Sequence, residues 1–235
     1  MCGRFTYRYT WQRLAELMGL VRWASVELTP RYNVAPSQSA PVVRLGADGA
    51  REGVLLRWGL VPSWADDPAI GNRHVNARGE TVGVKAAFRG AFAGRRCLVP
   101  VSGFYEWRVL RDGKTKQPYQ IARCDGEPFA LAGLWDRCVV DSTPLESFTI
   151  LTTSPNELMS RLHDRMPVMI GDADFDLWLA GGALADADRI RLLGSSPWHG
   201  FELFPVSRLV NSPKLDSPEV VARVAEPNDT GGFLF

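Results

Sequence analysis

Lysine is scarce in this chain: Lys85, Lys114, Lys116 and Lys214 are the only four among 27 lysine and arginine residues, set against 26 acidic ones. A net charge of +1 excludes bulk electrostatic attraction to nucleic acid. The dominance of arginine leaves room for local bidentate phosphate contacts, although an arginine-rich codon usage gives the same composition. Histidine occurs only at His74, His163 and His199, and cysteine at Cys2, Cys97, Cys124 and Cys138. There is no CxxC pair and no histidine at zinc-ligand spacing, so no metal site is expected, and in a reducing compartment the cysteines are free thiols. A phosphate-cradling glycine loop, a zinc-deaminase signature and a nucleophile-elbow serine are all missing. No apolar run approaches a membrane span, and the N-terminus lacks the basic-then-apolar pattern of a signal peptide. These absences point to a cytoplasmic or nucleoid protein with no membrane partner and no cofactor. Its chemistry must come from side chains and from the chain terminus.

What is present is a 235-residue chain with 46% hydrophobic and 23% charged residues, enough to bury a substantial core. One domain is expected over residues 1–225, with a loose Pro-, Asn- and Gly-rich tail over 226–235. Thr10 caps a predicted helix in which Trp11, Leu14, Leu17 and Met18 recur at helical spacing until Gly19. Strand patterns follow at 31–36, ended by Pro36, and at 41–45 and 54–58, with Asp48-Gly49 as a hairpin turn. Residues 81–92 read as a short helix. The middle of the chain reads as strands at 96–101, 103–110, 119–123, 129–134, 137–140 and 148–152, turned at Asp112-Gly113 and Asp125-Gly126. Ser154-Pro155-Asn156-Glu157 reads as a capping box with Pro at the first helical position, starting a helix that runs to Leu162 and delivers His163 at its C-terminal end. Further helices are predicted at 175–179 and 190–193, and a last strand at 201–206. The fold class is α+β, a mixed, mostly antiparallel sheet or barrel-like core with peripheral helices.

The segment with most chemical content is Met1-Cys2-Gly3-Arg4-Phe5. Removal of Met1 leaves Cys2 with an α-amine and a thiol on adjacent carbons, a pair that condenses with an aldehyde to a Schiff base and closes to a thiazolidine. With a pKa of about 7.8, roughly a third of such an amine is neutral near pH 7.5, against about 0.1% of an ordinary lysine. A frayed terminus is the ordinary alternative. In Phe104-Tyr105-Glu106-Trp107, strand alternation puts Glu106 on the face of Phe104 and away from Tyr105 and Trp107. A carboxylate among aromatics is costly to ionise and suited to proton transfer, unless it reaches water at a sheet edge. His163 is flanked by charge and titrates near neutrality, whereas His74 and His199 are weaker competitors. Asn76 and Arg78 share one segment and could orient a nucleophile and grip a phosphate, or merely cap a loop. Pro36, Trp58 and Trp64 offer rigid apolar surfaces for exposed bases, with core packing the ordinary role for Trp58.

Taken together, these segments resemble the SRAP family, the SOS-response-associated peptidases that process abasic sites. The matching stretches are the opening pentapeptide, Arg31-Tyr32-Asn33-Val34-Ala35-Pro36, Arg57-Trp58-Gly59-Leu60-Val61-Pro62-Ser63-Trp64 and Asn76-Ala77-Arg78-Gly79-Glu80. They continue through Arg96-Cys97-Leu98-Val99-Pro100, Gly103-Phe104-Tyr105-Glu106-Trp107, His163-Asp164-Arg165-Met166-Pro167 and Pro205-Val206-Ser207. The resemblance implies a monomer that captures abasic sites in single-stranded DNA through a thiazolidine on Cys2. It assigns Glu106 to proton transfer at the Cys2 amine, Asn76 to positioning Cys2 and the sugar, and His163 to protonating the sugar as its ring opens. It makes Arg4, Arg78 and Arg165, with Asn33 and Lys85, contacts to phosphates, and Pro36 and Trp64 surfaces for flanking bases. It also implies AP-lyase chemistry from the Schiff base, and self-removal of Met1 as the peptidase activity. Where relatives can carry a second aromatic, this chain has Ala65-Asp66-Asp67-Pro68, and its two carboxylates are expected to point away from the DNA. Two other classes fit parts of the sequence: an N-terminal-nucleophile cysteine amidohydrolase, which also begins Cys-Gly, and a non-covalent single-stranded DNA-binding module.

Overall fold

The strand Phe5–Tyr7 is paired on both sides, antiparallel to Arg31–Val34 and to Gly103–Val109. In this computed structural model, which describes residues 2–227, that pairing builds the N-terminus into a five-stranded sheet completed by Lys116–Arg123 and Phe201–Pro205. The second sheet closes on itself. Its strands Ser39–Leu45, Arg51–Trp58, Arg96–Val101, Phe129–Val140 and Thr143–Thr153 pair in a ring, antiparallel except where Ser147 and Phe148 lie beside Arg57 and Trp58. Closure leaves no exposed edge within the ring. The expected α+β class, with a mixed and mostly antiparallel barrel-like core, is therefore observed.

A layer of aromatic rings joins the two sheets. Trp58, fully buried, lies 4.9 Å from the ring of Phe5 on the first sheet and stacks on Phe148 of the barrel at 6.3 Å. Burying each such ring contributes about 1.5–3 kcal/mol. The indole N–H of Trp58 donates to the Val75 carbonyl at 3.0 Å, so this core residue also fixes the backbone just before Asn76. The short strand Asn76–Arg78 then runs parallel to Ile150–Thr152 of the barrel, while Met166–Pro167 pairs antiparallel with Thr152 and Thr153. One end of a single barrel strand thus carries both the Asn76 segment and the chain leaving His163.

The helix Trp11–Met18 forms where its periodicity places it, with the Thr10 hydroxyl accepting the Arg13 N–H and Gly19 in the left-handed region at φ 66°. Three sequence expectations are corrected. Residues 81–88 form successive turns and the helix begins only at Arg89, running to Gly94; Gly83 inside the expected helix weakens it. The strands expected at 129–134 and 137–140 are one strand, Phe129–Val140. The interrupting Asp136 is buried and paired, accepting the Ser63 N–H at 3.1 Å and facing Arg95 at 3.1 Å. The late helix is capped by Asn156, whose side chain accepts the Met159 N–H at 2.9 Å, rather than by Ser154, and it runs only over Glu157–Ser160. Of the tail expected at 226–235, residues 228–235 lie outside those described, and Glu226 accepts a hydrogen bond from the Tyr119 hydroxyl at 2.8 Å. Among the described residues no helix is long and apolar enough to cross a membrane.

Candidate active site

The ladder between the N-terminal strand and Gly103–Val109 extends beyond Phe5, because the Arg4 carbonyl accepts the Tyr105 N–H at 3.0 Å. This extension carries Cys2 into the interior beside the strand of Glu106. Cys2 is fully buried, its sulfur 3.9 Å from the Arg4 carbonyl, and its own carbonyl accepts the Asn76 side-chain amide at 2.8 Å. The remaining polar atom of Asn76, Oδ1, is buried and has no hydrogen-bond partner among the described residues. Burial pushes the Cys2 thiol far above its ordinary range, and the neighbouring Glu106 charge pushes it in the same direction.

Glu106 is 2% exposed, and burial raises its carboxyl above the usual range, with the charge of His163 partly opposing that shift. The alternation expected from sequence is realised: Phe104 packs in the main core, whereas Tyr105 and Trp107 pack in a separate cluster with Val206, Val210 and Val220. His163 follows the short helix, its N–H donating to the Met159 carbonyl at 3.0 Å. Its Nδ1 lies 3.0 Å from the Arg165 N–H and 2.7 Å from a carboxylate oxygen of Asp164. The competing histidines are elsewhere. His74 packs edge-on against Phe88 with Nδ1 3.2 Å from the Leu60 carbonyl, and its burial lowers its pKa; His199 is exposed in a loop. A cysteine, an amide, a buried carboxyl and an imidazole are therefore linked from four separate segments, Asn76 to Cys2 by a hydrogen bond and Glu106 to Cys2 and His163 through their charges. No three His, Cys, Asp or Glu side chains are grouped to hold a metal ion among the described residues.

The model of the SOS response associated peptidase (SRAP) family matches residues 1–213. The chain belongs to the SRAP family. Similar proteins include the abasic site processing protein YoqW of Bacillus subtilis, 41% identical over 224 residues, with 94% of this chain and 99% of YoqW covered. The abasic site processing protein HMCES of Xenopus tropicalis is 31% identical over 237 residues, covering 87% of this chain and 69% of that protein. An X-ray structure of a protein from Bacteroides thetaiotaomicron superposes with a TM-score of 0.82 at 26% identity, over 95% of this chain and all of that one.

The residues expected around the SRAP site divide by exposure. Arg78 and Lys85 are exposed, Pro36 is partly so, and Trp64 is 59% exposed, so all four reach solvent. Arg4 is half-buried and donates to Asn33 Oδ1 at 2.8 Å and to the Val210 carbonyl at 2.9 Å. Asn33 itself is fully buried, with its amide nitrogen donating to the carbonyls of Val210, Ser212 and Leu215. It holds Arg4 and the returning C-terminal chain. Arg165 is engaged within the protein. Both ends of its guanidinium fork are occupied by the Glu80 carboxylate, at 2.6 and 2.9 Å. Asp66 and Asp67 line a cavity of about 540 Å³ together with Trp64 and Arg73. Asp67 caps the turn that follows, accepting the Ala69 N–H at 2.8 Å. Trp58 takes the core role. Sequence reasoning overlooked Glu80; it lies inside a quoted motif, but nothing in a sequence marks which arginine a glutamate will pair with.

Proposed function

We propose that this SRAP chain processes abasic sites in single-stranded DNA by covalent capture on Cys2 after removal of Met1. The supporting observation is the 2.8 Å hydrogen bond from Asn76 to the Cys2 carbonyl, which fixes the residue bearing both reactive groups next to a protonatable carboxyl. The relatives named as abasic site processing proteins point to the same lesion.

His163 donates a proton as the cyclic sugar opens to its aldehyde. The Cys2 amine attacks the carbonyl, and loss of water gives a Schiff base. The thiol then adds across the C=N bond: a C–S bond forms, the nitrogen gains a proton, and the thiazolidine ring closes. A thiol whose ionisation is opposed by burial needs a nearby acceptor for its proton, and Glu106 sits where its carboxyl can take that proton and return it. Elimination of the 3′ phosphate from the Schiff base gives AP-lyase activity, and water attack on the Met1–Cys2 peptide, assisted by the same carboxyl, gives self-processing. Arg4, Arg78 and Lys85 bind phosphates, while Trp64 and Pro36 hold flanking bases out of the stack, which favours single strands. All these groups belong to one chain, so a monomer suffices.

The test is incubation with a single-stranded oligonucleotide bearing one abasic site, followed by a denaturing gel. A retarded band that vanishes for Cys2→Ala is expected, and its absence with correctly processed protein would overturn the covalent reading. Glutamine hydrolysis without that band would identify an amidohydrolase instead.

A further inference from the structure

Glu80 follows directly on the strand Asn76–Arg78 and takes both ends of the Arg165 fork. The same guanidinium donates to the Thr152 carbonyl at 2.7 Å, an oxygen that also accepts the Gly79 N–H at 2.9 Å. Arg165 is thereby tied to the segment that carries Asn76, and its side chain is only 13% exposed. Most ion pairs at a surface are weak, but a bidentate pair with a largely buried guanidinium is geometrically specific.

Two residues before Arg165 stands His163. The Arg165 amide proton points at His163 Nδ1 at 3.0 Å, which requires a lone pair there and leaves the neutral ring with its proton on Nε2. The 2.7 Å contact of Asp164 with the same nitrogen requires a proton on it. The two contacts therefore belong to different proton placements, the amide to a ring with Nδ1 bare and Asp164 to a ring with Nδ1 protonated, whether as the other neutral tautomer or as the imidazolium. The amide is fixed by the clamped backbone, whereas the Asp164 side chain is 87% exposed.

We propose that Glu80 is a positioning residue that, through Arg165, holds His163 in register with Asn76 and fixes its tautomer. This rests on the reading that His163 assists opening of the sugar ring.

Two substrates separate the effect from a general structural one. One is a single-stranded oligonucleotide with a natural abasic site, which must open its ring. The other carries an acyclic alkyl aldehyde at the same position, which needs no opening. Glu80→Gln is expected to slow adduct formation with the natural site by about tenfold or more, a part of the 10²–10⁴ that a general acid contributes, and to leave the acyclic aldehyde unaffected. His163→Ala should give the same pattern. Glu80→Asp keeps the charge and should recover part of the rate; it also replaces Glu80→Gln if that variant does not fold. Equal rates for Glu80→Gln and wild type on the natural site would overturn the proposal, as would equal slowing on both substrates. Tighter binding of undamaged single strands with an undiminished rate would also overturn it, by showing that Glu80 acts on strand binding alone. A wild-type protein that forms an adduct with neither substrate would remove the underlying reading and the proposal together.

Discussion

At the scale of the residue, Glu106 sets stability against activity. Burial raises its carboxyl above the ordinary carboxylate range, so the folded state binds its proton more tightly than the unfolded chain does. The stability it contributes is present at acid pH and is lost as pH rises from the unfolded value through the raised folded one. Glu106→Gln lacks this dependence. Thermal melts should therefore find the variant more stable than wild type by a few degrees near pH 8, with the gap closing towards pH 4; about 1 kcal/mol corresponds to roughly 2–4 °C in a chain of this size. The same variant should form adducts about 10²-fold more slowly or worse, with binding of undamaged single strands retained. Equal rates would remove Glu106 from proton transfer. Asn76→Ala breaks the bond to the Cys2 carbonyl at a cost of about 1 kcal/mol. It should slow adduct formation at least about tenfold, since misplacement by about 1 Å can cost far more than the bond itself. Single-turnover gels would measure both variants.

At the scale of the element, what could be read from sequence was whatever is enforced locally. Thr10, the spacing of Trp11, Leu14 and Met18, and Gly19 delimit a helix through their own hydrogen bonds and dihedral angles. Thr10→Ala should cost about 1 kcal/mol in denaturant unfolding and leave adduct formation unchanged, because the cap touches none of the site. The alternation at Phe104 to Trp107 was legible for the same reason, since a strand's period is fixed by its backbone. Elements decided by distant partners were not. Asp136 looks like a loop residue until Ser63 and Arg95 are brought to it. The Asn156 cap competes with an equally good signal at Ser154, and only the folded backbone chooses between them.

At the scale of the whole molecule, the site is assembled from segments that no local rule brings together, and the intramolecular partners of its polar residues were not legible in the sequence. The fold supplies the Val210, Ser212 and Leu215 carbonyls to Asn33 and the Glu80 carboxylate to Arg165, partners that no local pattern marks. Asp216 adds to the same C-terminal clasp by accepting the N–H groups of Tyr32 and Asn33. Asn33→Ala strips three donor bonds from a buried site and should destabilise the protein by about 2–3 kcal/mol in denaturant unfolding. It should also weaken single-strand binding by freeing Arg4 from its partner; an unchanged unfolding midpoint would contradict the clasp. The ladder that runs from Phe104 and Tyr105 to Phe5 and Arg4 works as a ruler whose zero is the reactive end of the chain. Inserting one glycine between Gly3 and Arg4 would keep every reactive group yet slide Cys2 by about 3.4 Å, one graduation along the strand. Such a protein should still condense with a small free aldehyde and fail to capture the DNA lesion, because what the fold specifies at its first residue is a length.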